Sequence, residues 1–166
     1  MNDPQRLLLA ELPGLRQYAR ALTGSREDAD DLVQDCLERA LSRWQLYRAE
    51  QQLRPWLFTI MHNLFVSARR RAAKRASVER QDWPPASVSA PGDGLAVAAL
   101  DRALALLPDE QRTVLLLVGL EGFSYAEAAR ILDTPIGTVI SRLSRGRQQL
   151  RELLEAADSP GLRRVR

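Results

Sequence analysis

Two sets of residues in this sequence have types and spacings suited to holding a polyanion. In DTPIGTVISRLSRGRQQL (133–150), Gly137, Thr138, Ser141, Arg142, Ser144 and Arg145 fall on one side of a helix at 3.6 residues per turn. Small side chains let a helix approach a phosphate closely, and N–H groups of its first turn can donate to one. Arginine forks match phosphates or guanine edges. Upstream, Phe58, His62, Phe65 and Arg69 form another stripe, with Asn63 beside it and the basic run Arg69, Arg70, Arg71, Lys74, Arg75 after it. Rings interleaved with cations suit an unpaired strand, whose bases stack while its phosphates follow the charge; the alternative is that both phenylalanines are core. No comparable set supports covalent chemistry. Cys36 and His62 are the chain's only cysteine and histidine, so an internal disulfide is impossible and a Cys/His metal site is not expected. The acids run along a helix face and do not converge on a point. No enzyme activity, cofactor or small-molecule substrate is therefore expected.

Such residues work only if rigid elements hold them, and the apolar periodicity supplies helices throughout, at spacings of three and four. QDWPPASVSAPGDG (81–94) carries three prolines, two glycines and two serines and reads as a flexible linker. The expected fold is all-α, with a first domain at 1–80, a second at 95–157 and a basic tail at 158–166. In the first domain a capping box at Ser25 and Asp28 opens a helix whose buried face is Ala29, Leu32, Val33, Cys36, Leu37, Ala40, Leu41 and Trp44. Its other face is acidic, with Glu27, Asp31, Gln34, Asp35 and Glu38. After a loop at 46–53, Pro55 suits the first turn of a helix that buries Leu57, Ile60, Met61, Leu64 and Ala68.

In the second domain Val97, Leu100, Leu104 and Leu107 predict one helix and DEQRTVLLLVGL a second, ending at Gly122. Ser124 and Glu127 form another capping box before a short helix, and Asp133–Thr134 turns the chain into the helix after Pro135. Ile136, Val139, Ile140, Leu143 and Leu150 are its expected packing face. Two helices on so short a turn have the form of a helix-turn-helix, although an ordinary helical hairpin shares the pattern.

The net charge of +3 is unevenly spread: −3 over residues 1–35, +7 over 36–80, −5 over 81–135 and +4 over 136–166. Two basic blocks suggest two polyanion surfaces, with acidic surfaces left for a basic partner; solvated helix faces are the bland alternative. The early run Leu7–Ala10 is broken by Glu11 and Pro13, so neither a secretory leader nor membrane insertion is expected, and the reading is cytoplasmic.

LPDEQRTVLLLVGLEGFSYAEAARILDTPIGTVISRLSRGRQQL resembles region four of the extracytoplasmic-function group of bacterial sigma factors. ALTGSREDADDLVQDCLERALSRW and LRPWLFTIMHNLFVSARRRAAKR are similar to region two of that group, in the same order. The resemblance implies a promoter-specificity subunit. Asp31, Leu32, Gln34 and Asp35 would dock on core RNA polymerase. Trp56, His62 and Asn63, with the loop before them, would read the minus-ten element, while Arg69, Arg70, Arg71 and Lys74 hold phosphates. Gly137, Thr138, Ser141, Arg142 and Arg145 would enter the groove of the minus-thirty-five element. Promoter DNA, core polymerase and an anti-sigma factor are the implied partners. The sequence departs from the group at Ser67, where many members carry aspartate, and at Ile140, where many carry lysine. Two other readings remain: a helix-turn-helix regulator acting on duplex DNA without polymerase, and an interaction adaptor whose acidic helices bind a basic partner.

Overall fold

The computed structural model describes residues 3–78 and 94–158, and every regular element among them is helical. Most of the expected linker and tail lies outside the described residues. The first domain comprises α1 (Pro4–Thr23), α2 (Arg26–Ser42) and α3 (Leu53–Val78). The second comprises α4 (Leu95–Leu106), α5 (Asp109–Leu115), α6 (Tyr125–Leu132) and α7 (Ile136–Asp158).

Local chemistry explains the boundaries. Asp3 caps α1 by accepting from the Gln5 amide at 3.2 Å, and Pro4 follows, where a helix needs no N–H. Gly24 closes α1 at φ 68°, a left-handed position that glycine enters without strain. Ser25 then caps α2, accepting from the Asp28 amide at 3.3 Å. Two 3-10 turns, Trp44–Leu46 and Ala49–Gln51, replace the expected loop, so Trp44 leaves the α2 face. Beyond Leu115 the backbone widens into a π-helical turn, Leu116–Leu120, which buries both Leu116 and Leu117. No described helix is long and apolar enough to cross a membrane.

α1 packs on α2 and α2 on α3, whereas α7 packs against α4, α5 and α6. Gly146 allows α7 to lie close to α5: a Cβ there would sit 3.1 Å from Leu115 Cδ1. Beyond these internal contacts, α3 meets α6 and α1 meets α4 and the π turn, so one apolar core runs from Leu8 to Leu143 through both domains. This decides between the two readings of the phenylalanines and corrects several expected helix faces. Phe58 (0% exposed) and Phe65 (5%) are core, because the second domain covers the face of α3 that a free first domain would leave to solvent. Phe58 lies between Tyr18 (centroids 5.1 Å) and Phe123 (5.0 Å). Conversely, Leu41, Ala68, Val97 and Leu100 are exposed, and Ala103, Leu104 and Leu107 anchor α4 instead. Ile136 and Ile140 are also exposed, and Val139, Leu143 and Gly146 form the buried side of α7.

Polar groups lock the domains together. The Arg112 guanidinium is buried and donates to the carbonyls of Leu104 (2.7 Å), Ala105 (3.2 Å) and Leu107 (2.7 Å) at the end of α4, where carbonyls run out of helical N–H partners. It also donates to the Leu22 carbonyl of the first domain at 3.1 Å and pairs with Asp109 at 3.0 Å. Burial lowers the Arg112 pKa, with the Asp109 carboxylate opposing that shift. On the other side Arg54 pairs with Glu121 at 2.7 Å and lies 4.5 Å from the centre of the Phe123 ring. Burial raises the Glu121 pKa, and Arg54 pulls it back.

Candidate polymerase and nucleic-acid interfaces

The acidic stripe of α2 is exposed at Asp31, Gln34 and Asp35, and the Gln34 amide donates to Glu38 at 3.2 Å. Leu32 turns inward and is buried, so it supports this surface from below. Beside the stripe an open apolar groove is lined by Leu8, Leu9, Leu12, Leu37 and Leu41. Cys36 lies beneath; its thiol donates to the Leu57 carbonyl at 3.5 Å, and burial pushes its pKa up to about 12. A thiol so protonated is no nucleophile. No cluster of His, Cys, Asp or Glu among the described residues could hold a metal ion.

The rings available to a nucleic acid are not the phenylalanines of the sequence reading. Trp44, Tyr47 and Trp56 form a half-buried cluster, with centroids 5.0 Å (Trp44–Tyr47), 5.2 Å (Tyr47–Trp56) and 6.2 Å (Trp44–Trp56) apart. The 3-10 turns deliver the first two and the first turn of α3 delivers the third. Leu46 projects beside them, and Gln52 holds a left-handed φ of 54° at the end of the loop. Sequence reasoning chose Trp56 alone, although the crowding of two of the three tryptophans and one tyrosine into residues 44–56 was a usable signal.

His62 and Asn63, adjacent in sequence, face different surroundings. Asn63 is exposed, whereas His62 lines an interdomain pocket with Phe65, Val66, Asp109, Glu110, Thr113, Leu132 and Arg142. The His62 Nδ1 is buried without a partner among the described residues, and burial, then the nearby Arg142 charge, lowers its pKa. Of the basic run, Arg69 pairs with Asp109 at 3.3 Å and lies over the Phe65 ring at 5.1 Å. Arg70, Arg71 and Lys74 are exposed, with no ion pair among the described residues.

The short helix and its turn take the expected form. Ser124 caps α6, accepting from the Glu127 amide at 3.1 Å and donating to the Glu127 carboxylate at 3.1 Å. Asp133 (φ 51°) ends α6, and Pro135 leads into α7. Around α7 the side chains divide into two ridges. Thr138 and Arg142 stand on the shoulder toward α5, with Arg142 3.6 Å from Glu110 and half-buried. Ile136 (50% exposed), Ile140 (48%), Ser144 and Arg147 form the other shoulder, all open to solvent. Gly137 and Arg145 are exposed, and Ser141 is half-buried. The sequence-predicted minus-ten and minus-thirty-five residues thus meet at one place, where His62 and Arg142 share a pocket.

Two family models match, one described as the Sigma2 domain of PhyR over residues 8–62 and one as Sigma-70, region 4 over 98–150. The chain is 42% identical over 151 residues to the ECF RNA polymerase sigma factor EcfG of Rhodopseudomonas palustris, covering 89% of this chain and 82% of that protein. It is 35% identical over 141 residues to the ECF sigma factor SigM of Mycobacterium tuberculosis, covering 84% and 71%. Among solved structures, the sigma factor RpoE of Bartonella quintana, in complex with the anti-sigma factor NepR, superimposes with a TM-score of 0.83 at 36% identity, over 93% of this chain and 98% of that one. CnrH, in complex with the cytosolic domain of CnrY, gives 0.69 at 27% identity, over 92% and 88%.

Proposed function

Because the chain belongs to the extracytoplasmic-function group of bacterial RNA polymerase sigma factors, we propose a division of labour in which residues 1–80 act as region two and residues 95–157 as region four. As a sigma factor it binds core RNA polymerase and promoter DNA and directs transcription initiation. That identity disfavours a duplex-only regulator, which would leave the whole first domain without a task. An adaptor without DNA contacts would likewise leave the helix-turn-helix unused.

Asp31, Gln34 and Asp35 are the polymerase contact, an exposed acidic row held rigid from beneath by Leu32. Trp56, joined by Trp44 and Tyr47, stacks with a base taken out of the duplex, Asn63 contacts its polar edge, and Arg70, Arg71 and Lys74 hold backbone phosphates. His62 and Arg69 join them once the second domain has moved away. Gly137, Thr138, Ser141, Arg142 and Arg145 meet the duplex upstream. Stacking rewards the unpaired strand over the paired one, and this differential binding opens the promoter. The chain supplies no covalent chemistry of its own and acts in the cytoplasm, where the polymerase is. The single observation that carries the reading is the three-ring cluster at the start of α3, the helix whose far end carries the cations, on a different element from the helix-turn-helix.

An anti-sigma factor is the remaining partner, supported by the RpoE and CnrH structures, each solved in a complex, with NepR and with the cytosolic domain of CnrY respectively. Reconstitution of the chain with core polymerase tests the whole assignment. Transcription from a defined start site is expected, and a chain that never joins core polymerase overturns it.

A further inference from the structure

The ridge of α7 that carries Ile136, Ile140, Ser144 and Arg147 has no task in the assignment above. Isoleucine is a poor choice for an exposed helical position, because its branched Cβ loses rotamer freedom there and it gains no burial. Yet two isoleucines one turn apart stand half exposed near the start of the second helix of the helix-turn-helix. The other exposed positions from 144 to 149 are Ser144, Arg145, Arg147, Gln148 and Gln149, all polar, so the apolar pair is a local exception. Gly137 and Ser144 flank it and leave room for close approach, while Arg147 adds exposed positive charge on the same shoulder. An apolar strip with a cation on its shoulder, at the start of a helix able to enter a major groove, matches one apolar feature of DNA. That feature is the C5 methyl of thymine, the only carbon substituent presented on the groove edge of the four bases.

We propose that Ile140, backed by Ile136, reads a thymine methyl group in the upstream promoter element. The proposal rests on the assignment of α7 as the upstream reader. It gives the departure at Ile140, where many members of the group carry lysine, a gained sequence preference in place of a lost cation. On the opposite ridge Arg142 pairs with Glu110 and lines the pocket with His62, which leaves this shoulder unobstructed.

The test uses the chain assembled with core polymerase. A duplex library randomised across the upstream element is first selected for binding; then each thymine in the selected sequence is replaced singly by deoxyuridine, which removes the methyl and nothing else. One position is expected to lose affinity about fourfold, the worth of one buried methyl, and Ile140→Ala is expected to bind thymine and uracil forms equally there. Ile140→Lys should likewise lose the distinction while steepening the dependence on salt. A selected element with no thymine, a uracil effect that persists in Ile140→Ala, or weakened assembly of Ile140→Ala with polymerase in the absence of DNA overturns the proposal. The two levels separate cleanly. If scrambling the whole element changes nothing, α7 is not the upstream reader; if scrambling matters and no single uracil does, only the role of Ile140 fails.

Discussion

On the proposed reading the first domain offers nucleic acid a cluster of rings, and the second a ridge of aliphatic and small side chains on a helix that also carries arginines. The difference follows from what each must hold. An unpaired base exposes its faces, which rings can cover whatever its identity. A base in a duplex exposes only an edge at the floor of a groove, which a ring is too broad to reach and which small, methyl-bearing or forked side chains can touch. Aromatics also appear in the second domain, where Phe123 is used internally, against Phe58 of its neighbour, and the exposed Tyr125 stands alone at the start of α6. Stacking chemistry on one domain and edge chemistry on the other is the division of roles proposed above, and variants can test how separate those roles are.

The sharpest break concerns the joint between the domains. Arg112→Ala should remove about 3 kcal/mol of stability, since a buried charged donor leaves carbonyls at Leu22, Leu104, Ala105 and Leu107 without it. Urea unfolding followed by circular dichroism checks this, and an unaltered midpoint would mean that the two regions are uncoupled. Next in size, Trp56→Ala should weaken binding of a minus-ten single strand by about 2 kcal/mol and leave upstream duplex binding intact. Equal losses at both sites, measured by fluorescence anisotropy with holoenzyme, would erase the division of roles. Arg142→Ala should cost about 1 kcal/mol at the upstream element if the fork reaches a base edge, and a matching loss on scrambled DNA would mark a phosphate contact.

Smaller still, Arg71→Ala should lower the slope of log affinity against log salt for the single strand by about 0.7. Last comes pH. His62 is buried neutral with its pKa lowered, facing Arg142, Asp109 and Glu110 in the interdomain pocket. Its contribution to the joint is complete above the ordinary histidine value of about 6.5 and fades as pH falls through the lowered one. Between about pH 7.5 and 5.5 the unfolding midpoint should fall, and His62→Gln should flatten that fall.

Local chemistry was legible in the sequence and long-range packing was not. The capping serines, Gly24, Gly122, the turn at Asp133 and the helices they bound are dictated within a few residues of themselves. Phe58 is covered by Tyr18 and Phe123, and Phe65 shares its pocket with Thr113 and Leu132, all about forty residues or more away, and periodicity within α3 carries no trace of them. Arg112 was readable in part: it lies four residues before Leu116 on an apolar face, and a cation placed there needs partners. Its reach to Leu22 was not readable, because no local rule connects residues ninety apart. Among candidate site residues, the acidic row of α2 and the cations of α3 keep their expected exposure. His62 and Arg142 do not, for the same reason as the phenylalanines: the neighbouring domain covers them.

On the proposed reading, in which His62 and Arg142 both touch DNA, the pocket they share must open first, and the closed chain is then one of two states. Promoter affinity is scaled down by the fraction of molecules in which the domains are apart, so each tenfold rarity of that form raises the apparent dissociation constant tenfold. On the same reading, a ligand that grips both domains while they are together and a promoter complex that needs them apart would compete without ever touching the same atom. By thermodynamic reciprocity, every increment by which one disfavours the other is returned in equal measure.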